Sequence, residues 1–131
     1  MMLTIIFPVL NEKLRLERGV TRTVEYLQKI DFEDYEIIIV DNGSEDETPQ
    51  IAQSLCEKYP RVQYERINIR GVGAAFRRGV AVSHGDIVGY MDIDLSTNIK
   101  HLGEAIHIFQ TVPEIEYING SRFAKESDTK G

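Results

Sequence analysis

Apolar residues follow two rhythms along the chain. Leu3-Thr4-Ile5-Ile6-Phe7, Tyr35-Glu36-Ile37-Ile38-Ile39-Val40 and Ile87-Val88-Gly89-Tyr90-Met91 are nearly continuous apolar runs of strand length. Arg61 to Ile69 alternates, with Val62, Tyr64 and Ile67 on the inward side. Between these runs the period changes to that of a helix. Leu16, Val20, Val24 and Leu27 define one helix, ending near Ile30, and Ile51, Ala52, Leu55 and Tyr59 a second, stopped by Pro60. Gly71-Val72-Gly73 leads into a small-residue helix over 74–83, and Leu102, Ala105, Ile106 and Phe109 mark a fourth. Pro8 is expected to break the first strand, and Glu116 to Asn119 read as a last one. Ser44-Glu45-Asp46-Glu47 resembles a capping box, with Thr48-Pro49 as an alternative helix start one turn later.

Strands that alternate with helices predict a three-layer α/β domain with a mainly parallel sheet, in the order 3-2-1-4. Residues 1–123 are expected to form this core and 124–131 a mobile tail. The fourth strand is left without a neighbour on one side, which suggests self-association through that edge into a homo-oligomer.

In such sheets ligands bind beyond the carboxyl ends of the strands. The polar residues there become the candidates. Asn11-Glu12 follows the first strand, Asp41-Asn42-Gly43-Ser44 the second, and Asp92-Ile93-Asp94 the fourth. Two aspartates one residue apart repel each other, and a hard cation such as Mg²⁺ or Mn²⁺, which favours carboxylates with phosphate oxygens and water, relieves that repulsion. Each group also has a plainer reading. Asp-x-Asp alone is more often a solvated turn, Glu12 a first-turn acid, and Asn42-Gly43-Ser44 a turn before a helix. Their shared position at one end of the sheet is what favours a site.

Composition narrows the partners. The chain has 131 residues, is 42% hydrophobic and carries a net charge of −6. That charge argues against nucleic acid as a partner. The single cysteine, Cys56, excludes an internal disulfide and sits at an apolar helical position, as a structural thiol would. His84, His101 and His107 lack metal-ligand spacing. The opening apolar run is too short to span a bilayer, so a cytoplasmic chain is expected, with the cytoplasmic membrane face as a place of peripheral association.

Five segments, in order, carry a family resemblance. Phe7-Pro8-Val9-Leu10-Asn11-Glu12, Val40 to Thr48, Gly71-Val72-Gly73-Ala74-Ala75, Asp92-Ile93-Asp94 and Gly120-Ser121-Arg122-Phe123 resemble the motifs of the family 2 inverting glycosyltransferases of GT-A fold. The last segment is similar to the signature of the polyprenyl-phosphate (dolichyl-phosphate) mannosyl- and glucosyltransferases. The resemblance implies a UDP- or GDP-sugar donor, Mg²⁺ or Mn²⁺, and a polyprenyl phosphate or other glycan acceptor. It implies that Pro8, Asn11, Glu12, Asp41, Gly71, Gly73 and Asp92 border the donor. Asp41 would accept a base N–H, Asp92 and Asp94 would hold the metal, and Arg122 would face phosphate. Asp94 and Arg122 would then be the catalytic pair, acting on the leaving diphosphate.

Three departures qualify the match. Asn42 stands where the family often has a second aspartate, and Ser96 where the mannosyltransferase branch has glutamine, so the sugar stays open. The chain also ends soon after Arg122, so the domain is expected to be truncated on the acceptor side. A non-catalytic nucleotide-sugar binding module, needing another segment for activity, is the alternative. Asp92-x-Asp94 also resembles a haloacid-dehalogenase-type nucleophile motif, but its lysine and second acidic pair are wanting. Gly71-x-Gly73-x-x-Phe76 resembles a nicotinamide-binding turn, but Phe76 replaces the third glycine.

Overall fold

The computed structural model describes residues 2–94, 99, 102–104, 106 and 122–125. Its sheet has five strands: β1 (Leu3–Val9), β2 (Tyr35–Asp41), β3 (Val62–Arg66), β4 (Ile87–Tyr90) and β5 (Arg122–Lys125). Their order is β3-β2-β1-β4-β5. The first four run parallel, as expected, and β5 runs antiparallel to β4. Three helices connect them: α1 (Leu16–Lys29), α2 (Thr48–Lys58) and α3 (Val72–Val82). Residues 99, 102–104 and 106 are also helical, with Leu102 and Ile106 buried.

The continuous apolar runs of β1 and β2 follow from burial on both faces. Side chains alternate across a strand. Ile5, Phe7, Ile37 and Ile39 therefore face a core shared with Leu16, Val20, Leu27, Ala52 and Leu55 of α1 and α2. Ile6, Ile38, Val40 and Val88 face the other way, onto Ala75 and Val80 of α3.

Pro8 does not break β1, which continues through it to Val9. The Ile6 carbonyl accepts the Met91 N–H on the β4 side, whereas the Val9 carbonyl accepts the Asn42 N–H on the β2 side. By that parity the amide position of residue 8 faces β4, where strand pairing has already ended at Ile6. The N–H that proline lacks is not needed there. The alternative start of α2 is the one adopted: the helix begins at Thr48, with Pro49 in its first turn, where the missing N–H costs nothing.

Two expectations change at the β4 edge. β5 pairs with β4 along its length, Tyr90 with Arg122 through Ile87 with Lys125, so that edge is occupied and the stated reason for self-association through it falls away. Ala124 and Lys125, assigned to the tail, belong to β5. The expected strand at Glu116–Asn119, the helical positions Ala105 and Phe109, and the tail beyond Lys125 lie outside the described residues.

Candidate functional site at the carboxyl end of the sheet

Parallel strands bring the polar segments after β1, β2 and β4 to one end. There the first two are bound tightly to each other. Asn11, in the left-handed region at φ 52°, turns the chain out of β1. Its N–H donates to Ser44 Oγ at 2.8 Å, and its Oδ1 accepts the Glu45 N–H at 2.8 Å. The Glu12 N–H donates to Thr48 Oγ1 at 2.9 Å, while its carboxylate takes Arg15 at 2.7 Å. Asp46 Oδ1 accepts the Thr48 N–H, and that bond, with the Lys13 contacts, outweighs partial desolvation and holds the Asp46 carboxyl below its ordinary range.

Asp41, the last residue of β2, is wholly buried. Its Oδ1 accepts the N–H groups of Gly43 at 3.1 Å and Ser44 at 2.7 Å. Its Oδ2 accepts the Tyr64 hydroxyl at 2.6 Å and Arg66 Nη1 at 3.4 Å. Arg66 Nη2 donates onward to the Ser44 carbonyl at 3.0 Å. Burial, and then the bond to Asp41, pushes the Tyr64 hydroxyl up to about 12, so it stays a donor at physiological pH. Tyr64 and Arg66 were not among the residues assigned to the site from sequence. The signal was available: both lie on one face of an alternating strand, and β3 pairs with β2 so that Arg66 stands beside Asp41.

Asn42 makes the third tie. Its side-chain amide donates to the carbonyls of Ile69 at 2.9 Å and Gly71 at 3.1 Å, anchoring the approach to α3. An aspartate here could donate neither bond. The departure at position 42 thus has a structural role. Gly71 has φ 115°, a conformation L side chains rarely adopt, and both Gly71 and Gly73 are exposed at the start of α3.

The segment after β4 is different. Met91 and Ile93 are buried, and the aspartates that alternate with them, Asp92 and Asp94, are exposed. Met91 is pinned by its N–H to the Ile6 carbonyl at 3.0 Å. Ile93 rests on Gly19 of α1 so closely that a Cβ there would stand 2.3 Å from the Ile93 carbonyl oxygen. The two buried side chains therefore turn both carboxylates outward. Asp94 lines a cleft of about 210 Å³ with Leu14, Arg15, Arg18, Gly19, Arg22 and Ile93. Antiparallel β5 begins at this same end, its Arg122 backbone paired with Tyr90, two residues before Asp92. Pro8 lies in β1 beside Val40 and does not line this cleft. Two exposed carboxylates on a pinned turn suit Mg²⁺ or Mn²⁺, which takes few protein ligands and fills its shell with phosphate and water. Among the described residues no group of three or more His, Cys, Asp or Glu side chains is placed to hold a metal ion.

The model of the family described as glycosyl transferase family 2 matches residues 4–129, and the chain belongs to that family. Its fold is that of the GT-A glycosyltransferases. The chain is 32% identical to glycosyltransferase AglD of Haloferax volcanii over 92% of its length and 19% of the relative's. It is 34% identical to the mouse (Mus musculus) dolichyl-phosphate beta-glucosyltransferase over 86% of its length and 38% of the relative's. With the dolichol-phosphate mannosyltransferase of Pyrococcus furiosus it shares 33% identity over 95% and 34%, respectively. The chain thus spans well under half the length of each. Among solved structures, S. aureus TarS 1-349 superposes with a TM-score of 0.73 at 18% identity, covering 99% of this chain and 48% of that one. The mannosyltransferase PcManGT of Pyrobaculum calidifontis, in complex with GDP-Man and Mn²⁺, gives 0.69 at 24%, covering 82% and 32%. No helix among the described residues is long and apolar enough to cross a membrane.

Proposed function

We propose that this chain is the donor-binding core of an inverting, metal-dependent glycosyltransferase that moves a hexose from a UDP- or GDP-sugar to a polyprenyl phosphate. The observation that carries the reading is the turn after β4, where two exposed aspartates share one end of the sheet with the start of β5 at Arg122. The lipid-phosphate acceptor is supported by the names of the relatives, and the nucleotide-sugar donor and metal by the GDP-Man and Mn²⁺ bound to PcManGT.

Asp92 and Asp94 would hold Mg²⁺ or Mn²⁺, which supplies Lewis-acid stabilisation of the departing diphosphate. Arg122, with its planar fork of donors, would add positive charge to the same phosphates. Pro8, Asn11, Glu12, Gly71 and Gly73 would border the donor. Asp41 enters this reading with a modification. Its carboxylate already has four internal donors, so a base N–H would share an oxygen with Tyr64 or Arg66 rather than find an empty acceptor. A phosphate acceptor is anionic already and needs little help from a general base, so the described residues need not include one.

Calorimetric titration with UDP, GDP, UDP-glucose and GDP-mannose, each with and without Mn²⁺, tests the proposal. Metal-dependent binding of one nucleotide and its sugar is expected. Absence of binding by all four would overturn it.

A further inference from the structure

The outward side of α1 carries an arrangement that donor binding does not use. Arg15, Arg18, Arg22 and Lys29 recur at helical spacing along one exposed stripe. Arg15 is taken by Glu12. Among the described residues neither Arg18 nor Arg22 makes an ion pair, although Glu25 falls within the stripe between Arg22 and Lys29 and Asp94 lies across the cleft. At its upper end stands Leu14, 88% exposed. Positive charge concentrated on one face is unusual in a chain of net charge −6, and a stripe of arginines ending in a projecting leucine has the chemistry of a lipid interface.

We propose that the Leu14–Arg15–Arg18–Arg22 stripe docks on an anionic bilayer surface, bringing the cleft that opens beside Asp94 down to the headgroups. This rests on the reading of a membrane-held phosphate acceptor. The stripe and the carboxylate turn line one cleft, so docking by α1 sets the height of the reaction site above the lipid. The Arg18 and Arg22 guanidinium groups engage lipid phosphates while Leu14 enters the headgroup–acyl boundary.

The test is sedimentation of the chain with vesicles of phosphatidylcholine alone or mixed with phosphatidylglycerol. Binding to the mixed vesicles only, weakening with salt, is expected. The double variant Arg18→Glu/Arg22→Glu should lose on the order of tenfold or more of that binding. Lys58→Glu/Arg61→Glu, which changes net charge equally on exposed residues away from the stripe, should change it less than about twofold. Equal losses in both double variants, no loss in the first, or no binding to the mixed vesicles would each overturn the proposal. So would saturation of the stripe by inorganic diphosphate without any vesicle binding. Nucleotide titration of the same variants separates the two proposals, because lost vesicle binding with intact metal-dependent nucleotide binding removes the docking surface alone.

Discussion

The ends of β2 and β4 lie on the same side of the sheet, separated only by β1, and each carries aspartates, yet they treat those aspartates in opposite ways. Asp41 is enclosed, with two backbone amides, a tyrosine and an arginine on its oxygens. Asp92 and Asp94 are turned out to solvent by the buried residues that flank them. An enclosed carboxylate with its bonds satisfied builds a structure. An exposed pair on a pinned turn can be reached by something that arrives from outside. On the proposed reading, the difference gives architecture to β2 and ligand chemistry to β4.

If that division is right, Asp41→Ala has the largest effect on folding. It leaves the Tyr64 hydroxyl and two loop amides without their buried acceptor, and the exposed Arg66 without its ion-pair partner. The expected loss is about 3–5 kcal/mol, measured by urea unfolding. The same variant sharpens the question of base recognition. A base-contacting Asp41 requires folded Asp41→Ala to lose UDP or GDP affinity while keeping inorganic diphosphate. Equal affinities for folded variant and parent would make Asp41 architecture only.

Asn42→Asp probes the same closed end more gently. The substitution sets a carboxylate against the carbonyls of Ile69 and Gly71, which now receive an amide. A loss of about 1–3 kcal/mol is expected, with hydrogen exchange rising around residues 69–75 before the rest of the chain opens. A stable variant with unchanged exchange would show that the tie to α3 is dispensable.

These two substitutions also mark how far sequence reasoning reached. The strand and helix order, the parallel sheet and the convergence of three polar segments were legible because each rests on local periodicity or on chain order. Which segments would seal against each other was not. Asn11 reaching Ser44, Tyr64 and Arg66 reaching Asp41, and Asn42 reaching past Ile69 are side-chain contacts between strands distant in sequence, fixed by register rather than by pattern. β5 was missed for a similar reason. Arg122–Lys125 and Glu116–Asn119 have the same pattern, two apolar residues between polar ends, and it is pairing with β4, not local pattern, that makes Arg122–Lys125 a strand. The exposure of the Asp92–Asp94 pair follows from the burial of Met91 and Ile93, which anchor the turn after β4.

Glu36 shows what closure does where no family motif lies. At the amino end of β2, it is nearly buried and accepts the Thr4 hydroxyl at 2.7 Å, the Gln63 amide at 3.1 Å and the His84 N–H at 2.5 Å. Burial works to raise its carboxyl, but the bonds from His84 and Thr4 win and hold it below the ordinary 4.5. A carboxyl lowered on folding contributes stability that is fully present above 4.5, and that is lost as pH falls through its folded value. Glu36→Gln should therefore cost about 1–2 kcal/mol at neutral pH and flatten the acid side of the stability profile. A variant that retains the parent's acid slope would show that other carboxylates set it.

The smallest effect on stability belongs to the exposed pair, and it is the sharpest test of the contrast. Asp92→Asn and Asp94→Asn remove like-charge repulsion, keep a side-chain oxygen of the same size and position as a hydrogen-bond acceptor, and expose no new apolar surface, so unfolding free energies should stay within about 0.5 kcal/mol of the parent. Binding should respond in the opposite sense. Each variant should weaken Mn²⁺-dependent nucleoside diphosphate binding by on the order of tenfold, ~1.4 kcal/mol, with no change in any metal-independent component. A carboxylate that matters to a ligand and not to the fold is the signature of an open site. If either substitution instead costs as much stability as Asp41→Ala, the turn is architecture like the end of β2. If both leave metal-dependent binding intact, Asp92 and Asp94 are a solvated turn, and the metal must be held elsewhere.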